Sequence, residues 1–204
     1  MIRRLFLLAF AAASLASPMA ARAADVTEVG GVKYDNVVTL ANTKLQLNGA
    51  GVRYKFVKVY TAGLYLTGKS ATPEAVLAAT GPRRMHIVML REINADELGR
   101  LFTKGMEQNA SREEFSKVIP GVIKMGEIFA ARRKLASGDY FSIDYVPGVG
   151  SSIVVNGKPA SEPIKEPEFF NALMKIWLGK SPADANLKEA LLGKSAAAKD
   201  SPFN

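Results

Sequence analysis

Nineteen consecutive residues, Asn48 to Leu66 (NGAGVRYKFVKVYTAGLYL), constrain this chain more than any other feature. The run is rich in β-branched and aromatic residues, lacks proline and reads as one long strand. Its even positions include Tyr54, Phe56, Lys58, Tyr60, Ala62, Leu64 and Leu66, and its odd positions Arg53, Lys55, Val57, Val59, Thr61, Gly63 and Tyr65. Neither set is cleanly polar, so both faces of the sheet holding it are expected to be partly covered. The run exceeds a usual strand, and Gly63 is the expected place for a bend or bulge.

Arg53 is the chemically demanding residue of this run. A guanidinium at the root of a buried strand costs several kcal/mol to desolvate unless it is paired. Its rigid fork of donors suits a carboxylate or another delocalised oxyanion. The hydroxyl of Tyr60 or Tyr65 is a candidate further donor. Arg53 and Tyr60 have opposite parity, so they share a face only if a bulge or bend lies between them. An internal acid beside Arg53, or solvent at a sheet edge, is the competing reading. The ligand reading expects no acid of the chain to neutralise it.

The rest of the chain has little else that carries chemistry. It holds no cysteine, which excludes disulfides, thiol chemistry, iron–sulfur clusters and thiolate zinc sites. Its one histidine, His86 in RMHIVML, is too few for a dedicated metal centre, and no cofactor is expected. No G-x-S-x-G nucleophile elbow accompanies His86, which is read as a satisfied strand residue. The glycine clusters NGAG and PGVGS lack the strand–loop–helix context of phosphate loops and are read as turns. The methionines and Trp177 are read as core, and the carboxylates form no evident catalytic pair.

Residues 1–23 have the organisation of a cleaved targeting segment: Arg3 and Arg4, an apolar run from Leu5 to Ala13, and Ala21-Arg22-Ala23 as the cleavage site. Export to the periplasm is expected, with cleavage after Ala23. Removing Arg3, Arg4 and Arg22 from the 27 basic residues leaves 24 against 19 acidic ones, a surplus of five where the whole chain has eight. The basic residues are spread out, apart from Arg132-Arg133-Lys134 at a predicted helix end where the macrodipole favours cations. Nucleic acid is therefore not an expected partner, whereas peripheral contact with anionic lipid stays open. Residues 24–193 read as one domain and 194–204 as a small polar tail.

Within that domain, strands come first, at Val37–Leu40 and Lys44–Leu47 with Asn42 in the turn, then the long run. A helix capped by Thr72 with Pro73 at its first position follows, then the strand RRMHIVMLRE. Asn94 with Glu97, and Ser111 with Glu114, announce two helices, the second expected to kink or split near Ile119 at Pro120. DYFSIDYV and SSIVVNGKPA read as paired strands, with Asn156-Gly157 as a type I′ turn. EPEFFNALMKIWLG and SPADANLKEALLG read as helices, the last with Ser181 as cap, Pro182 at its first position and Gly193 as stop. The fold class is α+β, a large antiparallel sheet with a layer of helices packed on one face.

Three ordered blocks, LNGAGVRYKFVKVYTAGLYL, DYVPGVGSSIVVNGK and FFNALMKIWLGKSPADANLKEALLG, resemble the chalcone isomerase-like family, specifically its bacterial exported members. The resemblance implies the open-faced sandwich of that family, with a ligand cleft between sheet and helices. Plant enzymes of the family close a chalcone to a flavanone there, with the arginine of GVR holding the reacting anion. Fatty-acid-binding relatives use that arginine with a tyrosine to hold a carboxylate. Carried over, the arginine is Arg53 and the polar strand position is Tyr60. Lys104 and Gln108 or Asn109 match the enzymes' lysine and asparagine. The enzymes' helix tyrosine falls near Leu101 or Phe102, and a threonine at Ile176, so two of the donors are replaced. The expected function is a non-catalytic binder of a small amphipathic carboxylate, fatty-acid-like or aromatic. The alternative is an isomerase acting on an enone. Expected ligand contacts are Arg53, Tyr60, Tyr65, Lys104, Gln108 and Asn109.

Overall fold

In the computed structural model, which describes residues 25–194, the Asn48–Leu66 run does not form one strand. It divides into the end of β4 (Thr43–Lys55) and all of β5 (Val57–Leu66), which pair antiparallel across a reversal at Phe56. Phe56 takes φ +64°, a conformation that sequence patterning had no turn residue to announce. Gly63 is not the irregularity either. It pairs in regular register with Ala50 and His86, and a Cβ there would lie 2.6 Å from the Tyr34 ring. The glycine is there for a close approach, not for a bend.

The chain opens with a hairpin, β1 (Val26–Val29) and β2 (Val32–Asp35), and β3 (Val37–Leu40) leads into β4 through Ala41-Asn42, both at positive φ. After β5 come α1 (Pro73–Ala78), β6 (Arg83–Met89), β7 (Ile93–Asn94), α2 (Ala95–Asn109) and α3 (Arg112–Ala130). Then β8 (Lys134–Leu135), β9 (Tyr140–Val146), β10 (Gly150–Val155), β11 (Lys158–Pro159), α4 (Phe169–Leu178) and α5 (Ala185–Leu191) complete it. Seven strands form one antiparallel sheet in the order β11-β10-β9-β6-β5-β4-β3. The helical pair α2–α3 is inserted between β6 and β9, which are neighbours in the sheet. The expected α+β class, with helices on one face, is the observed one. The targeting segment read in residues 1–23 and the tail beyond Lys194 lie outside the described residues.

Alternation along the strands decides the two faces. Ala62 and Leu64 of β5, Met85 and Ile87 of β6, and Phe141 and Ile143 of β9 are fully buried on the helix side. They meet Phe102 of α2, Phe129 of α3 and Trp177 of α4, whose rings pack edge-on or tilted with centroids 5.4–6.0 Å apart, the preferred aromatic geometry. The opposite face is partly covered by the β1–β2 hairpin. Tyr34 packs there with Leu45, Leu47 and Tyr65, and its hydroxyl donates to Thr61 Oγ1 at 2.7 Å.

Several local signals act as read. Thr72 Oγ1 accepts from Ala75 N, Asn94 Oδ1 accepts from Glu97 N, and Ser111 with Glu114 closes a reciprocal capping box. Asn156 and Gly157 hold φ +48° and +77°, as a type I′ turn requires. Two expectations fail. Helix α3 continues through Pro120, so the split half of that expectation does not occur, because Val118, Gly121, Val122, Met125, Ile128 and Phe129 are buried on both sides of it and outweigh one missing backbone bond. Helix α5 begins later than expected. Its cap is Asp184, whose Oδ1 accepts from Asn186 N and Leu187 N, and Ser181 and Pro182 stay in the preceding loop.

Candidate functional site

Arg53 reaches the helix-covered face because of an extra residue in β4. Leu47 stands opposite Tyr65 and Gly49 opposite Leu64, leaving Asn48 unpaired in the ladder. A single inserted residue reverses the alternation. Leu45 and Leu47 therefore look to the back cluster, while Gly49, Gly51 and Arg53 look toward the helices. Asn48 holds the bulge in place: its amide donates to Leu191 O at 2.7 Å and Ser70 O at 2.9 Å, and its Oδ1 accepts from Ser70 N at 2.7 Å. The NGAG cluster is thus a bulge inside a strand and not the turn expected of it.

The hairpin then sets Arg53 directly opposite Tyr60 in the ladder. Cross-strand partners project from the same face, so the parity conflict between these two residues is resolved by the chain reversal together with a second register shift, which leaves Val59 unpaired between Lys58 and Tyr60. Tyr60 is 4% exposed, and its hydroxyl oxygen accepts from Trp177 Nε1 at 2.9 Å. An indole nitrogen can only donate. The phenol therefore keeps its own proton for another acceptor. Burial pushes the Tyr60 pKa up to about 12, against the smaller opposing pull of the Trp177 hydrogen bond and the Arg53 charge. It is a neutral hydrogen-bond donor throughout the physiological range.

Arg53 is not free of acids, and here the ligand expectation is corrected. Its Nη1 lies 3.9 Å from Asp184 Oδ2, with both side chains mostly covered, 19% and 11% exposed. Nη1 also donates to the Tyr54 carbonyl. Asp184, however, is committed elsewhere: Oδ1 caps α5 and Oδ2 accepts from Tyr54 N at 3.0 Å. At 3.9 Å the pair is a Coulombic contact rather than the bidentate fork that guanidinium and carboxylate form when fully engaged. Asp184 orients Arg53 and offsets part of its charge. It does not saturate the guanidinium donors.

Both residues line a cleft of ≈ 730 Å³, inside the usual range for small-molecule sites. Leu98, Leu101, Phe102, Lys104 and Gln108 of α2 contribute to it, with Val59, Ile176, Pro182 and Ala183. A shallower groove of ≈ 590 Å³ between α2 and α3 is lined by Asp96, Arg100, Glu107 and Glu127 among others. Its mixed exposed charges and lack of a buried donor make it the weaker candidate.

The structure thus brings Arg53, Tyr60, Lys104 and Gln108 together and leaves two expected residues out. Tyr65 projects from the opposite face, packed with Tyr34 and Leu47, since five residues along one strand reverse the side. Asn109 spends its side chain on structure: Nδ2 donates to Gly105 O and Ser181 O, and Oδ1 accepts from Ser181 N at 2.8 Å. It fastens the loop after α4 to the end of α2. Leu101, Phe102 and Ile176, where the plant enzymes carry tyrosine and threonine, present apolar surface to the cleft. Sequence reasoning missed Asp184 and the Trp177–Tyr60 bond. The Asp184 signal was a second possible cap three residues after Ser181. A contact between Trp177 and Tyr60, 117 positions apart, has no local signal.

Comparison with known proteins agrees with this architecture. A solved fatty-acid binding protein of Arabidopsis thaliana superimposes with a TM-score of 0.62 at 13% sequence identity, over 81% of this chain and 94% of that one. At that identity the likeness is one of fold. No curated protein matches. The family model described as chalcone isomerase-like matches residues 26–193, nearly the whole described chain, and the protein therefore belongs to the chalcone isomerase-like family.

Proposed function

We propose that this protein is an exported, non-catalytic binder of a small amphipathic carboxylate, fatty-acid-like or aromatic. The observation that carries the reading is the Arg53–Tyr60 pair: two cross-strand neighbours facing an open cleft, one with unsaturated cationic donors and one with an unspent phenolic proton. A carboxylate has two oxygens for these two donors, and its apolar part fits against Leu98, Leu101, Phe102 and Ile176. Lys104 and Gln108 supply polar contacts along the same wall. Tyr60 stays a neutral donor, which favours holding an anion over moving protons. The targeting segment read in residues 1–23 makes the site a periplasmic one.

Arg53→Met tests this directly. It keeps the aliphatic stem and removes the charge. Isothermal titration with a long-chain fatty acid is expected to show roughly 10- to 100-fold weaker binding, the loss of a charge-assisted hydrogen bond, with an unchanged circular dichroism spectrum. Equal affinity in the variant and the parent removes the proposed site.

A further inference from the structure

The reversal between β4 and β5 ends in an arrangement that the fold itself does not require. Phe56 at its apex is fully exposed, at 103% of the reference area, and Tyr54 and Val57 beside it are each 49% exposed. Phe56 also holds φ +64°, a region in which a bulky aromatic is a genuine outlier. The three other tight hairpin turns of the sheet hold positive φ at Ala41-Asn42, at Gly148 and Gly150, and at Asn156-Gly157, all small residues or types that tolerate it. Here, a strained and unburied aromatic occupies the position instead. Lys55 and Lys58 flank it in the exposed tip, and Arg91 stands in the same cleft lining as Lys55 and Phe56. Among the described residues, none of these three cations lies within ion-pair distance of a carboxylate.

An aromatic apex ringed by unpaired cations matches the chemistry of an anionic bilayer surface: aromatic side chains settle at headgroup level and lysines pair with lipid phosphates. A protein partner fits less well. Stable protein interfaces cover about 800 Å² on each side, more than a five-residue tip presents. We propose that the β4–β5 tip, Tyr54 to Lys58, docks this protein on anionic membrane surfaces by inserting Phe56 among the headgroups. Phe56 and Lys55 belong to the cleft lining, so docking sets the cleft mouth against the bilayer. The docking stands without the ligand reading; only the identity of the cargo, a carboxylate exchanged with the membrane, rests on it.

Co-sedimentation of the mature protein with phosphatidylcholine vesicles, with and without phosphatidylglycerol, tests the proposal. The parent is expected to sediment with the anionic vesicles. Phe56→Asn, which suits the positive φ, is expected to lower partitioning at least about tenfold. The exposed double variant Lys55→Gln/Lys58→Gln should lower it about fivefold per lysine. Phe56→Trp should be quenched by brominated acyl chains while buried Trp177 is not. A parent that takes no fatty acid in solution yet sediments with the vesicles supports docking and removes only the cargo. No sedimentation of the parent, or equal sedimentation of Phe56→Asn, overturns docking. A Phe56-dependent dimer in sedimentation velocity without vesicle binding overturns it in favour of self-association.

Discussion

Tyr60 and Arg83 show how a polar side chain in this core is made either available or inert. Tyr60 receives a hydrogen bond from Trp177 Nε1, a group that cannot accept one in return, so its own proton stays available to an acceptor in the cleft. Arg83 is more deeply buried than Arg53, at 3% exposure, and stands outside the cleft lining, although its Nε has no hydrogen-bond partner among the described residues. Its guanidinium carbon lies 4.8 Å from the ring centroids of both Tyr145 and Phe170, which are themselves 5.5 Å apart, and its Nη1 donates to Val76 O and Asn171 Oδ1. Cation–π contacts with two neighbouring rings stand in for a counter-ion. His86 is the titratable residue whose state ties to stability. It sits on the back of the sheet with Nδ1 2.8 Å from Ser142 Oγ, and burial, with the Arg84 charge, holds its pKa down at about 4. The unfolded chain takes up that proton near pH 6.5 and the folded chain only near 4. Stability should therefore fall as pH drops through this window, by at most about 3 kcal/mol at 1.36 kcal/mol per pKa unit. Urea denaturation at pH 7 and pH 4.5 should show a smaller loss in His86→Gln than in the parent. An identical loss in both would contradict the assignment.

At the scale of elements, the site depends on how closely α5 lies on β4. A Cβ at Gly51 would stand 2.7 Å from Ala190 Cβ, and one at Gly49 would collide with the Ala190 carbonyl. The helix rests on bare strand backbone, and its capping residue Asp184 is thereby brought beside Arg53 and Tyr54. Gly49→Ala cannot be absorbed by a side-chain rotation, because the obstacle is backbone. It is expected to cost about 1–3 kcal/mol in chemical denaturation and to speed amide exchange in α5. Unchanged exchange would mean the contact is not what holds the helix. These two glycines were visible in NGAG, but their role was not, since a close approach is made by a helix about 140 positions later. Caps and turns were legible, being interactions over two to four residues: Thr72, Asn94, Ser111 and Asn156-Gly157 behave as read. The split of the Asn48–Leu66 run was not, because its reversal is made by Lys55-Phe56-Val57 and contains no residue that favours positive φ.

At the scale of the molecule, a cleft remains open at one end of an otherwise tightly filled helix–sheet layer, and the strained tip projects beside it. If the protein is an exported carboxylate binder, its ligand should travel with it. Native mass spectrometry of protein recovered from the exported fraction is expected to show a chain beginning at Ala24 with a carboxylate adduct, and Arg53→Met without the adduct. A ligand-free parent chain would count against the binding reading, and a chain retaining residues 1–23 against the cleavage. The sequence alone determined the class of fold, the helix starts at Thr72, Asn94 and Ser111 and the identity of Arg53 and Tyr60 as candidates, because periodicity, capping and the cost of burying a guanidinium are properties of short stretches. The tertiary structure decided that these two residues face each other, that Tyr65 and Asn109 serve elsewhere, and that Asp184 and Trp177 prepare the pair. Each of those outcomes turns on one inserted residue in a strand, one unannounced reversal, or a contact between distant segments. Such long-range placements depend on which surfaces can pack together, and no local pattern encodes them.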